Sequence, residues 1–289
     1  MRWRLWRLMY LKIKYLLLFL FAFQALQSQS IDQAAIDLLT QVDSSLSNSN
    51  GLKFKMAIYA RMKGNDYNQE ALFKIQRSPL KVYYRQFIDN NIELLYDETK
   101  DKEKAIINPD GFPYTNLQLS PYSSLILKRQ HHNVFEADPL FTIDQLKRMF
   151  DDCLPDKCSI TISDTLVDNK PYKVLQYFNP HYKIQKVKVE EDIHILDFAR
   201  KLGVNFYSIV CFNEDFDSSS EFDKGEILKV PSSYAKKILL IVNPSNNQVF
   251  EIQVFDGKGL FEKMRYLWFK KDVEFEEIDF QKENPEYNF

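Results

Sequence analysis

Two hydrophobic spacings alternate along the chain and divide it into predicted helices and strands. Residues 31–46 place their apolar side chains on one stripe at helical spacing, which predicts an amphipathic helix. The stripe consists of Ile31, Ala34, Ala35, Leu38, Leu39, Val42 and Leu46. The turn-forming run 47–51 ends this helix. From residue 52 the period becomes two, with Leu52, Phe54, Met56, Ile58, Ala60 and Met62 between polar or basic neighbours. This second pattern predicts a strand with one buried face.

Further short alternating segments follow and are separated by polar turns. The pattern predicts strands around residues 73–75, 80–84 and 92–96, and again at 160–167, 172–178, 238–242, 248–255 and 260–269. A proline-interrupted stretch (108–138) and a short helix over 142–152 lie between the first strands and the later ones. Short strands joined by tight turns favour an antiparallel sheet. We therefore predict an α+β protein in which both groups of strands belong to one sheet.

The segment 187–231 follows a different order in about 45 residues. Its pattern predicts a strand, a helix over 192–202, a second helix over 206–212 and a closing strand. Residues 198–204 (FARKLGV), Asn213 and residues 225–231 (GEILKVP) resemble the LysM module. That resemblance implies attachment to peptidoglycan. Glycan-binding modules of this type usually open their first helix with glycine, whereas this chain has Asp192-Ile193-His194. The alternative interpretation is a small helical cap that packs on the sheet.

Three features lie on either side of this insert: the helix before the first strand, residues 73–85 (FKIQRSPLKVYYR) and the late hairpin around residues 255–262 (FDGKGLFE). Together they resemble the lipoprotein-carrier (LolA/LolB-like) superfamily. Within that superfamily the chain is similar to a family of exported proteins with a LysM-like insert. The family implies an incomplete antiparallel β-barrel closed by helices, with an apolar cavity for acyl chains. Where the carrier proteins have an arginine that is needed for their function, this chain has Tyr83, and Arg85 follows two residues later. The resemblance therefore does not imply the carrier's own mechanism.

This resemblance suggests a division of the chain. Residues 31–187 form the first part of the half-barrel, 188–231 the LysM-like insert and 232–289 the last strands. The alternation predicts that ten side chains line the inner face: Phe54, Met56, Ile58, Phe73, Ile75, Leu80, Val82, Tyr84, Leu94 and Tyr96. A half-barrel lined in this way either fills itself with side chains or leaves a cavity for a lipid or lipoprotein acyl chain. The sequence leaves both alternatives open.

The first thirty residues have the pattern of a secretory signal. They contain no Asp or Glu, carry Arg2, Arg4, Arg7, Lys12 and Lys14, and continue into an apolar run at 15–23 and a small polar segment. The apolar run is too short to span a bilayer. We therefore expect cleavage between residues 25 and 31 and a periplasmic protein that is not transmembrane afterwards, with an uncleaved anchor as the alternative. The remaining chain has 33 basic against 40 acidic residues, a balance that argues against a nucleic-acid partner.

Cysteine usage agrees with an oxidising compartment. Cys153 and Cys158 are close enough in sequence to close a short disulfide loop. A single C-x4-C without a second pair is weak evidence for zinc, so no metal site is expected. Cys211 lies in an apolar helical run and is expected to be buried.

The sequence offers little support for catalysis. With only 7 glycines in 289 residues, it contains neither a dinucleotide-binding nor a Walker-type glycine motif. His131 and His132 stand in the proline-bounded stretch, where we expect solvated surface side chains, and no H-E-x-x-H or G-x-S-x-G motif accompanies them. We predict a non-catalytic envelope protein without a cofactor that binds or carries a hydrophobic ligand. The alternatives are a peptidoglycan-binding protein and a purely structural or interaction module.

Overall fold

The computed structural model describes residues 31–88, 91–109, 111, 115–127, 129–154, 157–213 and 215–289. The signal segment predicted at residues 1–30 lies outside these ranges. None of the helices in the described ranges is long and apolar enough to cross a membrane.

One large antiparallel sheet of eleven strands dominates the fold. The strands are β1 (Gly51–Met62), β2 (Asn65–Arg77), β3 (Leu80–Gln86), β4 (Glu93–Asp97), β5 (Ala105–Asn108), β6 (Leu117–Leu119), β7 (Ser159–Val167), β8 (Lys170–Phe178), β13 (Lys237–Asn243), β14 (Gln248–Asp256) and β15 (Gly259–Lys271). They run in the order β6-β5-β4-β3-β2-β1-β15-β14-β13-β8-β7, so that among the described residues β6 and β7 are the outer strands and the sheet is not closed. The last strand pairs with the first, with Phe54 opposite Phe269. This pairing joins the two groups of strands into the single sheet that the sequence predicts.

Two helices cover the inner face of the sheet. Helix α1 (Gln33–Ser47) and helix α2 (Pro139–Asp151) each begin after an aspartate whose carboxylate accepts a backbone N–H of the first turn, Asp32 and Asp138. The apolar stripe of α1 is buried at Ala35, Leu38, Leu39, Val42 and Leu46. Both helices share one core cluster with the inner side chains of the strands. The predicted α+β class, with an open antiparallel sheet covered by helices, is confirmed.

The segment between β8 and β13 forms a smaller unit with its own apolar core. It contains β9 (Ile184–Lys188), β10 (Ile193–His194), α3 (Ile195–Leu202), α4 (Phe206–Phe212), β11 (Glu221–Phe222) and β12 (Ile227–Pro231). Strands β9 and β12 pair as an antiparallel ribbon, and Gly203 ends α3 with φ of 65°. Apart from the two-residue strands β10 and β11, which pair with each other, the observed order is the predicted β-α-α-β order. The LysM resemblance and the domain division remain predictions.

The C-terminal segment packs against the outer face of the sheet. The ring of Tyr287 stacks on that of Tyr83 with their centroids 3.8 Å apart. The ammonium group of Lys74, a side chain only 2% exposed, lies 2.6 Å from the carboxylate of Asp279. Residues 273–289 therefore bury part of a face that alternation alone would assign to solvent.

Candidate functional site

A cavity of about 350 Å³ lies between the inner face of the sheet and the chain segment that leads into α2. Its apolar wall comes from strands β1 to β5 and β15. This wall is formed by Met56, Ile58, Ala60, Phe73, Val82, Leu94, Ile107 and Met264. The opposite wall is residues 129–138, which we call the strap. The cavity volume falls at the lower end of the ~300–1,000 Å³ range typical of ligand pockets.

The structure brings six of the ten predicted lining residues to this cavity. They are Met56, Ile58, Phe73, Val82, Tyr84 and Leu94. The other four, Phe54, Ile75, Leu80 and Tyr96, do not line it. Phe54 stacks between Phe73 and Phe269, at centroid distances of 5.0 and 5.3 Å, and Ile75 is fully buried in the same core. One inner face therefore serves in part as packed core and in part as cavity wall.

The strap adds a buried ion-pair cluster that the sequence analysis missed. Nε2 of His132 lies 2.9 Å from the carboxylate of Glu262 on β15, and Nδ1 lies 3.4 Å from that of Glu136. Burial acts to lower the pKa of His132, but the two carboxylates outweigh it and raise that pKa to about 10. Burial acts to raise the pKa of Glu262, and His132 reverses this, leaving the pKa below its ordinary value. Both groups are thus charged at neutral pH.

His131 has the opposite character. Its ring is held between the rings of Phe261 and Tyr207, at centroid distances of 4.2 and 4.8 Å. Burial lowers its pKa to about 4, so the imidazole is neutral at pH 7. Our expectation that His131 and His132 are solvated surface residues is wrong. The flanking prolines indicated an irregular loop, but an irregular segment is buried when it forms the wall of a cavity.

The insert holds the strap in place. Nδ2 of Asn205, at the start of α4, donates a hydrogen bond to the backbone oxygen of His131 at 2.9 Å. Leu127, just before the strap, is 3% exposed and belongs to the apolar core of the insert. These contacts make the insert a support for one wall of the cavity.

A second set of hydrogen-bonded polar side chains lies where the strap faces β2 and β3. Nε2 of Gln130 donates to the hydroxyl of Tyr84 at 3.1 Å, and that hydroxyl donates to Oε1 of Gln86 at 3.0 Å. Burial raises the pKa of Tyr84, so the hydroxyl keeps its proton. The cavity therefore combines an apolar wall with a polar wall of fixed charge and hydrogen-bonding groups.

The cavity lining has few nucleophilic side chains among the described residues. Among the described lining residues there is no Ser or Cys, and no set of three or more His, Cys, Asp and Glu side chains in the described ranges is arranged to hold a metal ion. Cys153 and Cys158, outside the cavity, are joined by a disulfide with a Cα–Cα distance of 5.6 Å. Cys211 is a half-buried free thiol whose pKa is raised by burial.

Comparison with known proteins finds likeness in structure only. No family model matches the chain, and no curated protein matches it in sequence. The structure is similar to that of MucB, with a TM-score of 0.43 and 9% identity over 86% of this chain and 63% of MucB. It is also similar to lipoprotein LppX of Mycobacterium tuberculosis, with a TM-score of 0.38 and 7% identity over 85% of this chain and 100% of LppX. A LolA superfamily protein from Nitrosomonas europaea matches with a TM-score of 0.30 and 11% identity over 86% of this chain and 97% of that protein.

These likenesses concern the fold alone. The open antiparallel sheet covered by helices is the architecture that we predicted, whereas the LolA-like superfamily and the LysM resemblance of the insert stay predictions. The chain spans less than two thirds of the length of MucB.

Proposed function

We propose that this protein is a non-catalytic envelope protein that binds a hydrophobic ligand, a lipid or an acyl chain, in the cavity under the strap. The observation that supports the proposal is the 350 Å³ space beside Met56, Ile58, Phe73 and Leu94. Protein interiors are normally close-packed, and voids larger than a water molecule are few. A retained cavity of this size needs an explanation, and a ligand supplies one.

The chemistry of the apolar wall indicates the class of ligand. Contacts between apolar side chains and methylene groups need no particular orientation, and each buried CH₂ contributes about 0.8 kcal/mol to the binding free energy. The affinity for an alkyl chain should therefore increase with the number of methylene groups that enter the cavity. The absence of Ser and Cys from the described lining supports binding without acyl transfer. An exported protein with this site would meet its ligand at a membrane.

A cavity-filling variant tests the proposal with a matched control on the same strand. Ala60 is 2% exposed and lines the cavity, whereas Ala57 lies on the opposite face of β1 outside it. We expect Ala60→Leu to lower the affinity of the protein for a fluorescent fatty acid by about tenfold or more, because the added side chain occupies the ligand's space. Ala57→Leu should leave binding unchanged.

Native mass spectrometry of the purified protein gives an independent measurement. We expect a bound species whose mass equals that of a lipid and whose occupancy falls in Ala60→Leu. If wild-type protein neither carries lipid nor takes up the fluorescent probe, the cavity is not a lipid site and the proposal fails.

A second candidate function rests on a groove beside the insert. An open groove of about 430 Å³ is lined by His194, Asp197 and Glu221 of the insert and by Tyr122 from the preceding loop. An exposed aromatic ring beside carboxylates is the kind of surface on which sugars stack and form hydrogen bonds. Co-sedimentation with peptidoglycan sacculi tests this candidate. Loss of sedimentation in Tyr122→Ala would support it, and no sedimentation of the wild type would remove it.

A further inference from the structure

The two-stranded ribbon of the insert has one buried face and one exposed face. Val187, Leu228 and Val230 point into the core of the insert. The exposed face carries Lys186 and Lys188 from β9 with Lys229 from β12. Ile184 and Ile227, which are 37% and 64% exposed, stand at its two ends. We call this face, Ile184, Lys186, Lys188, Ile227 and Lys229, the cationic ribbon.

Two lysines of the cationic ribbon face each other across its two strands. Lys186 lies directly opposite Lys229 in the strand register, and like charges in that position destabilise a sheet. No salt bridge to Lys186, Lys188 or Lys229 occurs among the described residues. Within the described ranges, no salt bridge offsets the repulsion between Lys186 and Lys229.

Three acidic side chains that are close to the ribbon in sequence bond to groups outside it. The carboxylate of Glu191 lies 3.1 Å from the ammonium group of Lys201. Asp192 accepts the backbone N–H of Lys224 at 2.8 Å, and Glu226 accepts that of Asp223 at 3.0 Å. The positive charge of the ribbon thus faces solvent, on a chain whose residues from 31 onward carry more acidic than basic groups.

We propose that the cationic ribbon docks the protein on the surface of a bilayer that contains anionic phospholipid. Lysine ammonium groups at such a surface bind lipid phosphates, and flanking aliphatic side chains enter the interfacial layer. The ribbon presents both groups on one face, with the charges at its centre and Ile184 and Ile227 at its ends. A soluble anion would use the lysines but would leave the two isoleucines in water. The inference does not depend on the cavity, so it can fail while the proposed function stands.

Vesicle co-sedimentation of the mature protein tests this inference. We expect binding to vesicles of equal parts phosphatidylcholine and phosphatidylglycerol, and little binding to phosphatidylcholine alone. Each lysine near an anionic surface contributes about fivefold to affinity, so the triple variant K186Q/K188Q/K229Q should bind about 100-fold more weakly. Ile227→Ser should weaken the remaining salt-resistant binding. The triple variant should melt no lower than the wild type, because a cross-strand repulsion is removed.

The chain offers a control with the same change of charge. Lys100, Lys102 and Lys104 are exposed together in the turn between β4 and β5, far along the sequence from the ribbon. K100Q/K102Q/K104Q should retain vesicle binding. Equal losses in the two triple variants would overturn the inference, since general charge would then explain the binding. It would also be overturned if the wild type did not bind anionic vesicles, or if the triple ribbon variant lost binding to peptidoglycan sacculi and kept binding to vesicles.

Discussion

The imidazole of His132 contacts the carboxylate of Glu262 at 2.9 Å across 130 positions of sequence. The contact ties the strap to β15 from inside the protein, where Glu262 is only 2% exposed. Two ionised groups in such a place stabilise each other strongly, and removal of either leaves the other buried without its partner. The ion pair therefore contributes to the stability of the strap and to the shape of the cavity.

We expect His132→Gln and Glu262→Gln each to lower the free energy of unfolding by about 3–5 kcal/mol, because each leaves an uncompensated buried charge. The double variant should lose much less than the sum of the two. A double-mutant cycle from chemical denaturation measures this coupling. Additive effects would show that the two side chains do not act as a pair.

The two neighbouring histidines predict opposite dependences of stability on pH. The unfolded pKa of both is about 6.5. The folded pKa of His131 is about 4, so the unfolded state binds more protons between pH 4 and 6.5, and stability rises with pH there. The folded pKa of His132 is about 10. Its contribution is complete below pH 6.5 and is lost as pH rises toward 10. Denaturation curves across this range should peak near pH 6.5.

Variants assign each limb of that pH profile to one residue. His131→Phe should flatten the rise between pH 4 and 6.5 and leave the decline above 6.5. The double variant His132→Gln/Glu262→Gln should remove the decline and leave the rise, because it also removes the buried carboxyl whose pKa burial would otherwise raise. The same change in both variants would contradict the assignment of separate protonation states to the two rings.

His131→Phe should preserve the fold at neutral pH. The ring stacks between Phe261 and Tyr207, and neither ring nitrogen makes a hydrogen bond of ordinary geometry within the described residues. A phenyl ring keeps the stacking and removes two buried polar atoms. We expect an unchanged or higher melting temperature, measured by calorimetry. His131→Ala, which leaves a gap between the two rings, should instead cost about 2–4 kcal/mol.

Asn205→Ser tests whether the insert supports the strap. Serine retains the capping oxygen at the start of α4 but lacks the amide group that binds the backbone oxygen of His131. We expect a loss of about 1–2 kcal/mol and faster hydrogen exchange of the strap amides. Asn213→Ser is the control, because the Asn213 amide binds the backbone of Ile209 and Lys229 within the insert. Equal hydrogen-exchange rates of the strap amides in the two variants would show that Asn205 of the insert does not support the strap.

Much of the local structure was predictable because its signals are local. The alternation along β1 put Met56 and Ile58 on the inner face, and both line the cavity. The predicted helix over residues 206–212 agrees with α4, Phe206–Phe212. The first insert helix begins later than predicted, at Ile195, because residues 193–194 pair with Glu221 and Phe222 as a short strand. That pairing depends on a distant segment and leaves no periodic signal.

The sequence by itself determined the period of each element and the face that each turns inward, because backbone geometry repeats every 3.6 or 2 residues. Only the tertiary structure decided which inner side chains pack together and which border a cavity. It also placed His131 between two rings, His132 against Glu262 and Tyr287 over Tyr83. Each of these contacts joins residues more than seventy positions apart. Their energy depends on the arrangement of the whole sheet, which no short stretch of sequence contains.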